Sequence, residues 1–291
     1  MENKRIAVFG ATGKIGSELI NRLSQEKVET IAVTRNLNKA TPHRFIKWVQ
    51  ADISDIQSLN TVMENSKAVF LLSSPGPDFV EGQKNVIKAA KQSGIKHLVK
   101  LSSGAADQNS AFYIPRIHGV VEDFLIKQGI PYTLLRPMGI MQNWLGEIAE
   151  NVKKEQKFYE ATGAGKRAHV DLRDIAEVAF KCLTEPEKHH NQVYSLSSDV
   201  AVNYYDVAEA ISKAIHKKVT YIPISLDEAR QEMKRNGMPS ALIETFISYD
   251  AAQRNGETEM VTDCVRTILG KPARTIENFA KDYADQFRSL A

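Results

Sequence analysis

Residues 5–16 read RIAVFGATGKIG, and three glycines at a spacing of three stand between two segments of different period. Arg5 to Phe9 is a short apolar run, whereas Ile15, Leu19, Ile20 and Leu23 recur at helical spacing, so the stretch reads as strand, turn and helix. In a doubly wound sheet such a turn lies beyond the carboxyl end of the first strand, where ligands bind. Gly10 permits the tight turn, Gly13 lets the backbone approach a pyrophosphate with no Cβ between, and Gly16 lets the helix pack close. Thr12, Lys14 and Ile15 complete the turn and the helix N-terminus, whose unsatisfied N–H groups and partial positive charge suit an anion. A dinucleotide pyrophosphate is the expected ligand.

Beyond this first helix the chain keeps the same rhythm. Strands are expected near 5–9, 29–34, 45–50, 68–72, 96–102 and 131–136, with helices near 14–26, 55–64, 79–93 and 114–128. Ile117, Val120, Val121, Phe124 and Leu125 trace one buried helix face. Strands alternating with helices pair in parallel through right-handed crossovers. The fold class expected is therefore α/β, a Rossmann-type doubly wound parallel sheet with a smaller, mostly helical C-terminal lobe. After Pro137 residues 137–168 look irregular, 173–184 helical, 192–197 strand-like and 204–216 helical. A final amphipathic helix runs through Ile276, Phe279, Ala280, Tyr283, Ala284 and Phe287. The expected division is 1–136 plus about 166–198 for the nucleotide domain, and 137–165 plus about 199–291 for the smaller substrate lobe.

A net charge of +3, set against 38 basic and 35 acidic residues, gives no support to a nucleic-acid-coating or anionic-membrane role. No window holds the ~18 apolar residues of a membrane span, and no apolar leader precedes the first strand. Cys182 and Cys264 lie far apart with no ligand spacing around them, so no metal site is expected, both thiols read as buried, and a reducing, cytoplasmic setting fits. His169, Asp171 and Asp174 lie in HVDLRDIAEVA, which reads better as a strand entering a helix capped near Asp171 than as a metal site. His189 and His190 follow Pro186 in a charged turn and read as solvated.

The end of the second strand, ETIAVTRN, decides between coenzymes. An NAD site wants an acid about twenty residues beyond the glycines, to take the ribose hydroxyls. Thr34, Arg35 and Asn36 stand there instead, and a guanidinium grips a 2′-phosphate with a planar fork, so NADP(H) is expected over NAD(H). Asp52 either accepts from the adenine amino group or caps the next helix, a task that Asp55 also suits.

GATGKIG, VTRN, QADISD, HLVKLSS, HGVVEDFL, IPYTLLRPMGIMQN and the later VDLRDIAEVA and NQVYSLS together resemble the NmrA-like group of atypical short-chain dehydrogenases/reductases over nearly the whole chain. The resemblance is to members that reduce quinones, azo compounds or triphenylmethane dyes with NADPH. It implies an NAD(P)H-dependent oxidoreductase passing hydride to a small quinonoid or aromatic acceptor. The same group holds members that bind the coenzyme as redox sensors and act through a protein partner, and that alternative stays open.

Ordinary members of the wider superfamily carry a Tyr-x-x-x-Lys pair. Aligning Glu122 places His118 at the lysine and Ile114 at the tyrosine, with Tyr113 one residue, about 100°, out of register. The resemblance puts Ser103, with Ser102 as a register rival, at the catalytic serine. His118 either holds the nicotinamide ribose or donates a proton, or it simply packs on its helix face. Catalytic candidates are thus Ser103, His118 and Tyr113. Ser73 and Pro75 after strand four and Pro137 at the end of strand six border the coenzyme by position in the fold. Met138, Met141, Asn143 and Trp144 are the residues expected to meet an aromatic acceptor, against the plainer reading of a lobe core.

Overall fold

In a computed structural model of the chain, the described residues are 5–288. The first run is β1 (Arg5–Val8), α1 (Lys14–Gln25), β2 (Thr30–Thr34), β3 (Ile46–Gln50), α2 (Ile56–Glu64), β4 (Ser66–Leu71), α3 (Phe79–Gln92), β5 (His97–Leu101), α4 (Tyr113–Gln128) and β6 (Tyr132–Pro137). Then come β7 (Gly139–Ile140), α5 (Glu147–Glu155), β8 (Lys157–Glu160), β9 (Arg167–Val170), α6 (Leu172–Thr184) and β10 (Gln192–Leu196). β11 (Ala201–Val202), α7 (Tyr204–Ile215), β12 (Thr220–Pro223), α8 (Leu226–Arg235), α9 (Ser240–Arg254), α10 (Cys264–Leu269) and α11 (Ile276–Asp282) complete the order.

Two compact units divide these elements. The first holds the described residues through Pro137 together with Leu172–Leu196. Its seven-stranded sheet has the order β10-β6-β5-β4-β1-β2-β3, with every pairing parallel. The order reverses beside β1, where the chain turns from one half of the sheet to the other. α1 and α6 pack together on one face, and α2, α3 and α4 in succession on the other. Leu19, Ile20 and Leu23 of α1 are buried, as are Val86, Ile87 and Ala90 of α3. Each of these leucine, isoleucine and valine side chains contributes about 1.5–3 kcal/mol on burial. β2 and β5 are buried at every position, as central strands covered on both faces must be.

The second unit, Met138–Asp171 with the described residues from Ser197 on, is more ordered than its sequence suggests. The segment 137–168, expected to be irregular, holds several short strands and a helix. β7 pairs in parallel with β9, β9 antiparallel with β11, and β8 in parallel with β12. α5 leaves little trace in the sequence because its nine residues, EIAENVKKE, carry only Ile148, Ala149 and Val152 on the buried side, too short a run to show a period. The core joins Trp144, Ile148, Phe158, Ile211, Phe279 and Phe287. The terminal amphipathic pattern thus packs on α7 as α11 and a 3₁₀ turn.

Two smaller expectations are corrected. His189 is buried, its Nδ1 3.0 Å from the Tyr194 hydroxyl, and His190 lies 4.9 Å from the His97 ring, so this turn folds back on the sheet. Cys182 is buried, with desolvation pushing its thiol up to about 12, whereas Cys264 is only half-buried.

Candidate nucleotide site and a buried charge cluster

Two glycines of the turn, Gly10 and Gly16, leave no room for a side chain. Gly10 adopts φ +73°, and a Cβ there would stand 2.8 Å from the Leu72 carbonyl oxygen. A Cβ on Gly16 would stand 2.1 Å from the Gly10 oxygen, inside the backbone itself. Gly13 is the N-cap of α1 in extended geometry with, among the described residues, no side-chain cap hydrogen bond, and no acid stands in the first turn. Thr12, Gly13 and Lys14 are exposed and Ile15 is buried, so the helix start is open outward and anchored inward. An open, uncapped helix start above a glycine cradle fits a diphosphate.

At the end of β2, Arg35 is exposed while its carbonyl accepts from Gln50 Nε2 at 3.2 Å. Asn36 caps the 3₁₀ turn Leu37–Lys39 by accepting from the Asn38 N–H at 2.9 Å, which leaves Arg35 as the cation directly after the strand. Asp52 is not the helix cap. Its carboxylate accepts from the Ser54 N–H at 2.9 Å and the Ser54 hydroxyl at 2.8 Å, and these bonds, with the Arg35 charge, hold it below the usual carboxylate range. Asp55 caps α2, accepting from the Gln57 N–H at 3.0 Å.

After β4, Ser73 is half-buried and its hydroxyl accepts from Gln83 Nε2 at 3.0 Å, while Pro75 is exposed. Gln83 Oε1 is buried with no hydrogen-bond partner among the described residues. Tyr113 opens α4, and its hydroxyl donates to the Gly76 carbonyl at 3.3 Å, tying the helix start to the β4 loop. Ser102 is buried with its hydroxyl lacking a partner among the described residues; Ser103 is half-buried. The loop after Ser103 lies directly on α4, because a Cβ on Gly119 would stand 2.1 Å from the Gln108 nitrogen.

Four ionisable groups share the α4 face of the sheet. His118 and Glu122, one helical turn apart on α4, are both buried. Arg136 on β6 pairs with Glu122, Nε to Oε1 at 3.1 Å and Nη2 to Oε2. Lys100, in β5, is fully buried; its Nζ donates to the Leu101 carbonyl at 3.1 Å and stands 3.1 Å from His118 Nδ1. Phe79 closes the cluster, its ring 4.8 Å from His118 and 5.9 Å from Lys100 Nζ. Desolvation drives Lys100 down to about 7, with Glu122 pulling upward and Arg136 downward. Burial, then the Lys100 charge, takes His118 down to about 2, so the imidazole is neutral. Lys100 is absent from the residues that the sequence singles out, because a lysine in a strand suggests solvent. The signal was available, since a strand central in a doubly wound sheet has no solvent face.

Pro137 is buried at the end of β6, and its carbonyl accepts from the Gly104 N–H at 3.0 Å. In the second unit Met141 and Trp144 belong to the core, and Met138 is half-buried and Asn143 exposed. Trp144 packs at 4.8 Å on His169, which burial drives down to about 3. Gly139 makes that approach possible, as a Cβ there would lie 2.4 Å from the His169 ring. Asp171 accepts from Gln142 Nε2 at 2.8 Å. Among the described residues no cluster of His, Cys, Asp and Glu is suited to a metal ion, and no helix is long and apolar enough to cross a membrane.

Comparison with known proteins adds to this geometry. The chain is 33% identical to the NAD(P)H azoreductase of Xenophilus azovorans, over 97% of its own length and 99% of that protein. It superposes on the NADPH complex of the Escherichia coli quinone oxidoreductase QOR2 with a TM-score of 0.85 at 28% identity, over 95% of this chain and 99% of that one. The NADP(H) complex of triphenylmethane reductase from Citrobacter sp. gives 0.82 at 26%, over 96% and 99%. The model of the NmrA-like family matches residues 2–280, and the chain belongs to that family.

Proposed function

We propose that this protein is an NADPH-dependent reductase that passes hydride to a small aromatic or quinonoid acceptor. The observation that carries the proposal is the glycine cradle, where Cβ atoms at Gly10 and Gly16 would collide with backbone and the start of α1 stands uncapped. Relatives named as azo, quinone and dye reductases over almost the full chain support the acceptor class.

In this reading Gly10, Thr12, Gly13, Lys14, Ile15 and Gly16 hold the diphosphate through backbone N–H groups at the start of α1. Arg35 takes the 2′-phosphate, which sets NADP(H) above NAD(H). Asp52, Ser73, Pro75 and Pro137 line the nucleoside parts. The bound coenzyme supplies the hydride. Tyr113, Ser103 and His118 face the remaining task, which is to place a hydrogen-bond donor on the reduced acceptor. Neutral His118 suits it better than Tyr113, whose hydroxyl is engaged with Gly76. Met138, Met141, Asn143 and Trp144 are proposed to shape the acceptor side; for Met141 and Trp144 that role would be structural, through the core they build.

The test is consumption of NADPH and NADH side by side across quinones, azo dyes and triphenylmethane dyes. Faster NADPH consumption with at least one acceptor is expected. Coenzyme binding with no turnover across the panel would favour the alternative, a redox sensor whose oxidised and reduced ligands bind with unequal affinity.

A further inference from the structure

We infer that Lys100 and His118 form a two-residue proton relay, in which the buried ammonium is the proton source and the imidazole passes the proton to the reduced acceptor. The inference rests on the reductase reading above and adds a residue and a route to it.

The geometry dictates the direction. An ammonium has three donors and no acceptor, so where Lys100 Nζ meets His118 Nδ1 at 3.1 Å, Nδ1 must accept. The ring proton is then on Nε2, and Nε2–H is the donor left for a ligand. Lys100 cannot reach that ligand itself, because it is fully buried beneath Phe79 and the Leu101 carbonyl. The charges agree with this arrangement. The groups acting on Lys100 are Glu122 and His118 of α4 and Arg136 of β6, and Phe79 of α3 is uncharged. α6 covers the opposite face, where His97 Nε2 meets the Thr133 hydroxyl. Glu122 is already matched by Arg136, so the site tolerates one further positive charge and not two. That single charge belongs to the Lys100–His118 pair.

The balance closes. The acceptor gains two electrons and one hydrogen as hydride from NADPH, and one of its oxygens or nitrogens is left negative. As that atom takes the proton from His118 Nε2, a Lys100 N–H bond breaks and its proton forms a bond to Nδ1. Lys100 ends as a neutral amine, and His118 ends neutral with its proton on Nδ1. Neither an imidazolium nor an imidazolate has to persist in the buried site. Water restores the proton at Nε2 once product has left, and the chain resets in reverse. A lysine titrating at about 7 is matched to this work near neutrality.

The test joins kinetics to a measurement that needs no turnover. In the wild type kcat should fall as pH rises through about 7, where Lys100 loses its proton. Lys100→Met should lose that limb, with kcat lower by about 10²-fold and NADPH affinity unchanged. A variant that keeps the wild-type pH profile overturns the relay and leaves the reductase reading standing. A protein that turns over no acceptor fails the reductase reading, and the relay falls with it. Nitrogen chemical shifts of His118 in the wild-type protein without coenzyme decide independently, even if the variant does not fold. Below pH 7 they should show a neutral ring protonated at Nε2, and a ring protonated at Nδ1 overturns the relay.

Discussion

Glu122 on α4 and Arg136 on β6 meet as a two-point ion pair, with the glutamate side chain 4% exposed and the arginine 30%. The pair joins the helix carrying His118 to the strand that ends at Pro137. Glu122→Gln removes the carboxylate that stands beside two cations, and breaking a buried pair from one side costs about 3–5 kcal/mol. Because Arg136 reaches solvent, a loss of about 2 kcal/mol is expected in denaturant unfolding. A change within about 0.5 kcal/mol, the range of ordinary surface substitutions, would contradict it.

Lys100 makes stability depend on pH with a definite sign. Its value is about 7 in the folded chain against 10.5 in the unfolded one. Between those values the unfolded state binds more protons, so stability rises with pH across that window. Below about 7 both states are protonated and the full penalty of the buried ammonium is present. Lys100→Met should be more stable than the wild type near neutrality and should lose the slope attributable to this residue. Unfolding midpoints at pH values on both sides of 7 measure this, and identical slopes in the two proteins would disprove it.

Gly16 and Gly119 are packing requirements of different consequence. Gly16→Ala forces a Cβ onto the Gly10 carbonyl, and Gly119→Ala forces one onto the Gln108 and Asp107 backbone. Neither neighbour is a flexible side chain, so each change should cost at least the ~1–3 kcal/mol of overpacking. Gly16→Ala should also abolish coenzyme binding, whereas Gly119→Ala should displace the loop packed on α4 at this glycine, next to His118 in sequence, and lower kcat more than it weakens NADPH. Thermal shift with and without coenzyme separates the two.

Arg35→Asp places a carboxylate where a 2′-phosphate is expected. A charge-assisted bond contributes about 1.5–3 kcal/mol, and each 1.4 kcal/mol is about tenfold in affinity. NADPH should weaken by at least about tenfold, with NADH held or improved. An unchanged ratio of the two dissociation constants would show that Arg35 does not read the phosphate.

The strand, turn and helix at residues 5–25 were legible because their constraints are local. A glycine triplet between period-2 and period-3.6 segments needs no tertiary information. The irregular reading of 137–168 failed for the opposite reason. β7 and β11 are two residues each, and they exist only because β9 lies between them. Asp52 shows how a short carboxylate between two candidate tasks can take a third, bonding Ser54 within its own loop. The Lys100 cluster needs three elements at once, though its trace is present in α4, where His118 and Glu122 interrupt the apolar stripe at i, i+4.

Calorimetric titration of the purified, folded protein with NADPH, and separately with NADH, tests the central claim most directly. One NADPH should bind per chain, more tightly than NADH, and the heat should vanish in Gly16→Ala. Absence of heat from both coenzymes in the wild-type protein would contradict the account from the glycine cradle onward.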